Sequence, residues 1–473
     1  MQRVPSRLCG LLLASLGAAS LSAVPANLPD PSLPAFGGGA DGPPNVLVVV
    51  ADDFGVDQLA AYGLGANPAY TPTLDGLAAS GVSFSRVWSN PLCSPTRATL
   101  LTGRYAFRTG LGFLTDDEAL AWPLDDEWTL PELLEIGTGG AVEHAYFGKW
   151  HMGMQAAIGG IGTPNQLGWG HFEGMESNLY PEHQPDPPPV DFFDFLKITN
   201  GVAEQVGSQY ATSATVDWAL AWIGQQTGPW HAHVAFHAPH HPWHTPPPEL
   251  HTVDLSQAGP PEDDPLPYYR AAVEALDTEL GRLLAGLGDA LADTVVVFVG
   301  DNGTPGPVVL APFDPQHSKS TVFEGGVQVP LIVSGPGVQQ GAWCHALVNV
   351  TDLFGTLLQL SGVVLTSLPC DPADLDTVPL TPYLALPGLP SARKHVYTEL
   401  FHPNGPGPYA SYRQAIREDR YKLIREQNGP KLFFDLAADP FETVNLLEGP
   451  LTPEEQRKFR QLDAALNALK PLP

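Results

Sequence analysis

The sequence predicts an α/β fold in which a large mixed, mostly parallel sheet is sandwiched by helices. Residues 46–50 (VLVVV) and 295–299 (VVVFV) are continuous apolar runs, the pattern of strands buried on both faces. Residues 71–81 and 268–287 carry apolar or small side chains at helical spacing. Because such strands alternate with helices along the chain, we expect helices to cover both faces of one sheet.

The first 44 residues have the pattern of a leader rather than of a packed domain. Arg3 and Arg7 precede an apolar run and then small residues, so residues 1–26 are predicted to be a cleaved secretory signal peptide. A structural helix or a retained anchor is the alternative. Residues 27–44 are rich in proline and glycine and are predicted to be a disordered leader. No later apolar stretch reaches the length of a membrane span, so we expect a secreted or periplasmic protein.

The composition suits a large globular protein with an acidic surface. The chain has 473 residues, of which 43% are apolar, and a formal net charge of -28. This excess of acid argues against nucleic acid as a partner. It would also repel an anionic substrate at long range, so a site for such a substrate must be locally basic or hold a metal ion.

Acidic side chains stand at the carboxyl ends of both predicted strands. Asp52 and Asp53 follow the first apolar run, and Asp301 and Asn302 follow the second. Ligand sites in open α/β sheets form at such ends, and the two strands could lie side by side. Hard oxygen ligands favour Ca²⁺ or Mg²⁺ over Zn²⁺. Adjacent acids after a strand can instead cap a helix, and this alternative stays open for either pair alone.

Further candidates lie between and after these strands. Cys93 and Arg97 belong to a C-x-P-x-R pentapeptide ahead of a helix start rich in threonine and leucine, although a lone cysteine is usually a small buried apolar residue. Lys149 and His151 follow a short apolar run, and in an extended segment both would project from the same side. Lys319 precedes an E-G-G turn and a predicted strand over residues 329–333.

A cluster of histidines raises Zn²⁺ as a rival metal. Seven of the 15 histidines lie in one short region: His231, His233, His237, His240, His241, His244 and His251. No H-E-x-x-H helix or paired cysteine motif accompanies them, and the interleaved prolines forbid a helix. A zinc site is therefore an alternative without a motif to support it.

Several segments together resemble those of sulfatases in the alkaline phosphatase superfamily. They run from near residue 45 to residue 446 and read VVVADDFG, TPTLDGLAASGVSFSRVWSNPLCSPTRATLLTGRY, FGKWHMG, APHHP, VGDNG, KSTVFEGGVQVP and LFFDLAADPFETVNL. The resemblance implies hydrolysis of a sulfate monoester, on a small molecule or a glycan, to an alcohol and inorganic sulfate. In that family a maturation enzyme oxidises the cysteine at the position of Cys93 to formylglycine, whose hydrated aldehyde attacks sulfur.

The resemblance also implies a role for each candidate residue. A divalent cation, usually Ca²⁺ in the family and otherwise Mg²⁺, would be bound by oxygen ligands and the modified cysteine: Asp52, Asp53, Asp301, Asn302 and Cys93. Arg97 would steady the formylglycine and the sulfate. Lys149 and Lys319 would hold sulfate oxygens. His151 would hydrogen-bond a hydroxyl of the hydrated aldehyde, and His240 would face the leaving oxygen.

Some features depart from the family pattern or leave alternatives. His240 is preferred to His237 because APHHP matches the family segment A-P-H-x-P, although His237 also precedes an x-Pro pair. Gly300 stands where the family often has serine, and Gln328 where arginine is usual. The alternative functions are a phosphonate or phosphate ester hydrolase of the same superfamily and a non-catalytic binding module that retains the fold.

The proline-rich stretch 369–390 predicts a junction between a catalytic α/β domain, residues 45–368, and a C-terminal subdomain, residues 369–473. Beyond it, HVYTEL, YRQAIREDRYKLIRE and KLFFDL predict short strands, followed by a terminal helix. The resemblance implies a smaller antiparallel sheet there. Cys344 and Cys370 are either a disulfide pair or two free buried thiols.

Overall fold

The computed structural model describes residues 42–115, 124, 126–154, 160–180 and 190–470. Its strands, in chain order, are β1 (Asn45–Ala51), β2 (Gly81–Phe84), β3 (Val87–Trp88), β4 (Glu143–Lys149), β5 (His171–Met175), β6 (Phe195–Thr199), β7 (Val202–Val206), β8 (Trp230–Ala235), β9 (Thr294–Gly300), β10 (Leu331–Ser334), β11 (Ala342–Cys344), β12 (Val348–Asn349), β13 (Val396–His402), β14 (Ser411–Arg417), β15 (Tyr421–Glu426) and β16 (Leu432–Asp435). Its α-helices are α1 (Pro72–Ser80), α2 (Cys93–Thr102), α3 (Ala106–Thr109), α4 (Leu130–Thr138), α5 (Thr163–Gln166), α6 (Ala211–Ile223), α7 (Pro265–Gly286), α8 (Glu324–Val327), α9 (Thr351–Leu360), α10 (Thr381–Ala385) and α11 (Pro453–Leu469).

Ten strands form one mixed sheet in the order β11-β2-β10-β9-β1-β8-β4-β5-β6-β7. The central strands from β9 to β5 run parallel to one another, while β10, β6 and β7 pair antiparallel with their neighbours. The two strands that the sequence places before acidic residues, β1 and β9, are direct parallel partners. The predicted α/β class is therefore confirmed, and the carboxyl ends of β1 and β9 meet at one edge.

Helices cover both faces of this sheet. Val46, Val48 and Val50 are buried in a core that also contains residues of α2, α4 and α9. Leu47 and Val49 point into a second core, which contains residues of α1, α6 and α7. Because both faces of β1 lie in a core, the strand is apolar at successive positions rather than alternating.

The C-terminal part forms an antiparallel sheet of four strands in the order β13-β14-β15-β16, which confirms the smaller subdomain. One face packs Val396 and Ile424 against Trp88 and Val327 of the large domain. The other face is covered by α11, which begins with a capping box and buries Leu466. The smaller sheet therefore packs directly on the segments that surround Cys93 and Lys319 in the sequence.

The segment that follows Lys319 differs from the sequence prediction. Its E-G-G sequence is not a simple turn but the start of α8, because the backbone N–H of Gln328 donates to the Glu324 carbonyl at 2.8 Å. The following strand begins at Leu331 rather than at residue 329. Pro330 precedes it and has no N–H to donate to a strand ladder.

Residues 369–390 pack against the large domain, where Leu380, Tyr383 and Leu384 are buried in the core. The division between residues 45–368 and 369–473 stays a prediction. So do the signal peptide and the leader, of which all but residues 42–44 lie outside the described residues. Within the described stretches, none of the helices combines the length and the apolar character needed to cross a membrane.

Candidate active site

The candidate residues gather at the edge of the sheet where the parallel strands β9, β1, β8 and β4 end. Asp52 and Asp53 directly follow β1, Asp301 and Asn302 directly follow β9, and Lys149 is the last residue of β4. The exposed fraction of each of these five residues is at most 1%. Strand pairing thus brings together side chains that are remote along the chain.

Hydrogen bonds join the two acid-bearing loops. The backbone N–H of Asp53 donates to Asp301 Oδ1 at 3.0 Å, and the Asn302 amide donates to Asp53 Oδ1 at 2.7 Å. Asp52 Oδ1 and Asn302 Oδ1 are buried without a hydrogen-bond partner. Unpaired buried oxygens among three carboxylates are the donor set that a hard divalent cation requires, and such an ion would satisfy both atoms. The cluster therefore offers the ligands that a divalent cation needs.

Cys93 begins α2 and lies against these acids. Its sulfur and one carboxylate oxygen each of Asp52 and Asp301 all lie within 4.8 Å of one another. Burial raises the pKa of the Cys93 thiol to about 12, although the charges of Lys149 and Lys319 act in the opposite direction. An unmodified thiol in this position is a poor nucleophile at neutral pH.

Arg97 lies one helical turn after Cys93 and links the acids to β4. Its Nε and Nη2 donate to Asp301 Oδ2 at 3.1 and 2.8 Å, and its Nη1 donates to the Lys149 carbonyl at 2.8 Å. Burial alone would lower the pKa of Arg97, but the charge of Asp301 raises it. Burial and the charge of Asp52 raise the pKa of Asp301, which Arg97 partly offsets. The pair keeps a fixed cation beside residue 93.

Lys149 and His151 occupy the same region but not the same face of a strand. The Lys149 ammonium donates to Asp52 Oδ2 and to Asn178 Oδ1. The prediction of one extended segment is wrong, because β4 ends at Lys149 and His151 has a φ of 54°. The His151 backbone N–H donates to the Glu176 carbonyl at 2.7 Å, in the segment that directly follows β5.

Lys319 and His240 meet on the other side of the acids. Lys319 Nζ lies 2.6 Å from Asp53 Oδ1 and 3.2 Å from His240 Nε2. Burial alone would lower the pKa of the Lys319 ammonium, but Asp53 raises it. Burial, and then the charge of Lys319, hold the pKa of His240 well below its ordinary value. The site therefore pairs a cationic lysine with a neutral imidazole.

The histidines of residues 231–251 do not converge on one metal. Within the described part of the chain, His240 is the one histidine that belongs to a group of metal-binding side chains, and its partners are two of the acids. His231 and His233 are buried on β8, and burial lowers the pKa of His231 to about 3. His237 donates from Nε2 to a backbone carbonyl at 2.9 Å. The histidines of this region therefore do not form a zinc site of their own among the described residues.

Two contributors to the site were not found from the sequence. Asn178 accepts the Lys149 ammonium, and it follows β5, a further parallel strand that ends at the same edge; that position is the signal that could have revealed it. Tyr146 donates to the Lys149 carbonyl at 2.6 Å and lies 3.5 Å from Arg97 Nη1. No sequence signal distinguishes Tyr146 from an ordinary buried aromatic residue of β4.

The departures from the family pattern lie next to the site but not in it. A Cβ at Gly300 would lie 2.1 Å from the Phe54 carbonyl oxygen, so the backbone leaves no room for a side chain there. Gln328 donates to the Ser85 carbonyl at 3.0 Å. Cys344 and Cys370 are buried and are not joined by a disulfide in the described residues, which leaves the two-thiol alternative.

The family model described as Sulfatase matches residues 44–363, more than half of the chain. The chain belongs to the sulfatase family. A second model, N-sulphoglucosamine sulphohydrolase, C-terminal, matches residues 315–470. The protein is thus a sulfuric ester hydrolase, and the resemblance drawn from its motifs is confirmed.

Named relatives agree with this assignment over most of their length. This sulfatase is 30% identical to arylsulfatase A of Bos taurus, over 91% of this chain and 89% of that protein. It is 28% identical to an ulvan-active sulfatase of Formosa agariphila, over 90% and 80%. The solved structure of Ps i-CgsB in complex with k-i-k-neocarrahexaose has the same fold, with a TM-score of 0.74 and 23% identity over 90% and 92% of the two chains.

Proposed function

We propose that this sulfatase cleaves its sulfate monoester with a formylglycine formed from Cys93, beside one bound Ca²⁺. The observation that carries the proposal is the position of the Cys93 sulfur, within 4.8 Å of carboxylate oxygens of Asp52 and Asp301. The cation would be held by the buried oxygen donors and residue 93: Asp52, Asp53, Asp301, Asn302 and the modified Cys93. When bound, it would supply positive charge to the sulfate and to the attacking oxygen.

Charge balance explains how an acidic protein binds an anion. Arg97, Lys149 and Lys319 neutralise three carboxylates, so a divalent cation leaves the site net positive although the chain carries a formal charge of -28. Both lysine ammonium groups lie at the acids, and in this proposal they hold sulfate oxygens. Fixed positive groups in a buried site stabilise the charge that develops in the transition state.

Proton transfer is assigned to residues that lie beside the acids. Formylglycine supplies a hydrated aldehyde, with one hydroxyl to attack sulfur and a second to release the sulfate. Lys319 gives a proton to the departing alcohol, because it is the charged member of its 3.2 Å contact with His240, whose imidazole is neutral. His151 takes the proton of the second hydroxyl, and Arg97 fixes the position of residue 93.

Maturation requires a second protein, a formylglycine-generating or equivalent enzyme. Cys93 is fully buried in the folded chain. A modifying enzyme can therefore reach it only before the fold closes over α2. We propose that the chain is secreted or exported to the periplasm by its signal peptide and is modified before it folds.

The substrate is proposed to be a sulfated small molecule or glycan. The names of relatives support both, since one is an arylsulfatase and another is an ulvan-active sulfatase. The test is to produce the protein with and without a maturation enzyme, and to assay aryl sulfate, sulfated oligosaccharides and aryl phosphate in parallel. We expect sulfate release only from protein with a changed mass at residue 93. Faster turnover of the phosphate ester, or full activity with intact Cys93, would contradict the proposal.

A further inference from the structure

Glu324 is a buried carboxylate that belongs to the segment after Lys319 and contacts the segment before Cys93. It begins α8, five residues after Lys319, and 2% of it is exposed. Its Oε1 accepts the indole N–H of Trp88 at 3.1 Å, and Trp88 lies five residues before Cys93. The Glu324 carboxylate therefore joins the segment that carries residue 93 to the segment that carries Lys319.

The charges that balance Glu324 come from the C-terminal sheet. Arg417 Nη1, at the end of β14, donates to Glu324 Oε2 at 2.6 Å. Lys422 of β15 has no exposed surface, lies 3.2 Å from Glu324 Oε1, and stands 4.8 Å over the Trp88 ring. Burial alone would raise the pKa of Glu324, but Arg417 and Lys422 lower it.

Glu442 completes the set from the loop after β16. It lies 2.8 Å from Lys422 Nζ and also accepts the backbone N–H of Glu324 at the start of α8. Two carboxylates and two cations are thus buried together, with no net charge above about pH 7, since burial raises the pKa of Glu442 to about 7. We call Glu324, Arg417, Lys422 and Glu442 the charge cluster. Removing one member leaves a buried charge without its partner, which proteins accommodate poorly.

Hydrogen bonds join the segments next to the charge cluster to the segments of the reacting residues. The Ser320 N–H donates to the Pro91 carbonyl at 3.0 Å, which joins the Lys319 loop to the turn before Cys93. The Lys319 N–H donates to the Thr304 carbonyl at 3.0 Å, two residues after Asn302. Thr398 of β13 donates to the Ser89 carbonyl at 2.9 Å. A shift of Glu324 would therefore move the loop of Lys319 relative to residue 93.

We propose that Glu324 is a positioning residue that sets Lys319 against residue 93, and that the C-terminal subdomain holds it in place through Arg417, Lys422 and Glu442. The inference rests on the proposed function, in which Lys319 and residue 93 act on the same sulfate. It makes the smaller sheet part of the catalytic unit rather than a separate module.

The test compares Lys422→Met with the double variant Lys422→Met/Glu442→Gln, which removes one charge of each sign. The matched control is Arg413→Met, which breaks an exposed 3.1 Å pair with Glu426 on the same sheet. Turnover of an aryl sulfate is measured as kcat and KM separately. Each kcat is divided by the fraction of formylglycine at residue 93, found by mass spectrometry, and folding is checked by circular dichroism.

We expect Lys422→Met to lower kcat about tenfold or more with KM changed less than about threefold, since small displacements of reacting groups slow the chemical step. The double variant should recover a large part of the lost kcat, and the kcat and KM of the Arg413→Met control should match those of wild type. A folded Lys422→Met with wild-type kcat, or no recovery in the double variant, would overturn the inference.

If Lys422→Met does not fold, Trp88→Phe, which removes one donor to Glu324 and keeps a ring, must lower kcat without lowering the formylglycine fraction. A wild-type protein without turnover would instead refute the proposed function.

Discussion

Lys319 donates a hydrogen bond to Nε2 of His240 across 3.2 Å. The other ring nitrogen of His240, Nδ1, lies 2.5 Å from the backbone carbonyl of His241 and must donate to it, because a carbonyl can only accept. Nε2 is therefore the acceptor, and the proton between the two side chains belongs to Lys319. This relationship makes Lys319 the donor that faces the site and His240 the group that orients it.

The first prediction concerns the departing alcohol. Lys319→Met should lower kcat by about 100-fold or more on an alkyl sulfate, because a poor leaving group needs a proton in the transition state. The loss should be much smaller on a nitrophenyl sulfate, whose phenolate leaves without help. Initial rates on the two substrates, with exposed Lys431→Met as control, check this. Equal losses on both substrates would show that Lys319 acts on sulfate binding rather than on the leaving oxygen.

The second prediction concerns Cys93. Cys93→Ala should reduce sulfate release to background while the thermal unfolding midpoint stays close to that of wild type, since a small side chain replaces a small buried one. Cys344→Ala, at another buried cysteine, should keep wild-type kcat per folded molecule. Sulfate release and unfolding are measured on the same samples. Turnover by Cys93→Ala at the wild-type rate would refute the nucleophile assignment.

The third prediction concerns the cation. Removing it with a chelator should abolish turnover and lower the unfolding midpoint, because Asp52 Oδ1 and Asn302 Oδ1 are then buried without a partner. Ca²⁺ should restore both more fully than Mg²⁺, since a fully buried set of protein oxygens leaves little room for the waters that Mg²⁺ retains. Elemental analysis, activity and unfolding are compared after each addition. Full activity in protein shown to be free of metal would contradict a role for the cation.

The fourth prediction concerns Glu399, at the junction of the two sheets. The Phe107 N–H and the hydroxyls of Tyr397 and Tyr412 donate to its carboxylate, yet burial raises the pKa of Glu399 from 4.5 to about 7. The folded state thus binds a proton more tightly than the unfolded state. The contribution of protonated Glu399 to the free energy of unfolding is complete below pH 4.5. It is lost as pH rises towards 7, by at most about 3 kcal/mol.

Glu399→Gln removes this titration. We therefore expect the free energy of unfolding of wild type to fall relative to that of Glu399→Gln as pH rises from 4.5 to 7. Urea denaturation at each pH measures this difference. A difference that is constant over this range would show that burial does not shift the pKa of Glu399 in the folded protein.

Much of the site was predictable because its ligands follow strands of a recognisable kind. Apolar runs identified β1 and β9, and the rule that ligands collect at the carboxyl ends of parallel strands brought Asp52, Asp53, Asp301 and Asn302 together. His151 was misjudged because its backbone is left-handed and its N–H donates to the Glu176 carbonyl, a contact between distant segments that no local pattern shows. Asn178 was missed because β5 has no continuous apolar run that would predict a buried strand before it.

The sequence by itself determined the fold class, the residue types of the site and the family, because these depend on local periodicity and on short motifs that can be read in order. The tertiary structure alone decided which groups touch. The hydrogen bond from Asp53 to Asp301 spans 248 positions of the chain, and that from Lys422 to Glu324 spans 98. Such contacts depend on strand order and on how the two sheets pack, so no local pattern encodes the neutral tautomer of His240 or the charge cluster around Glu324.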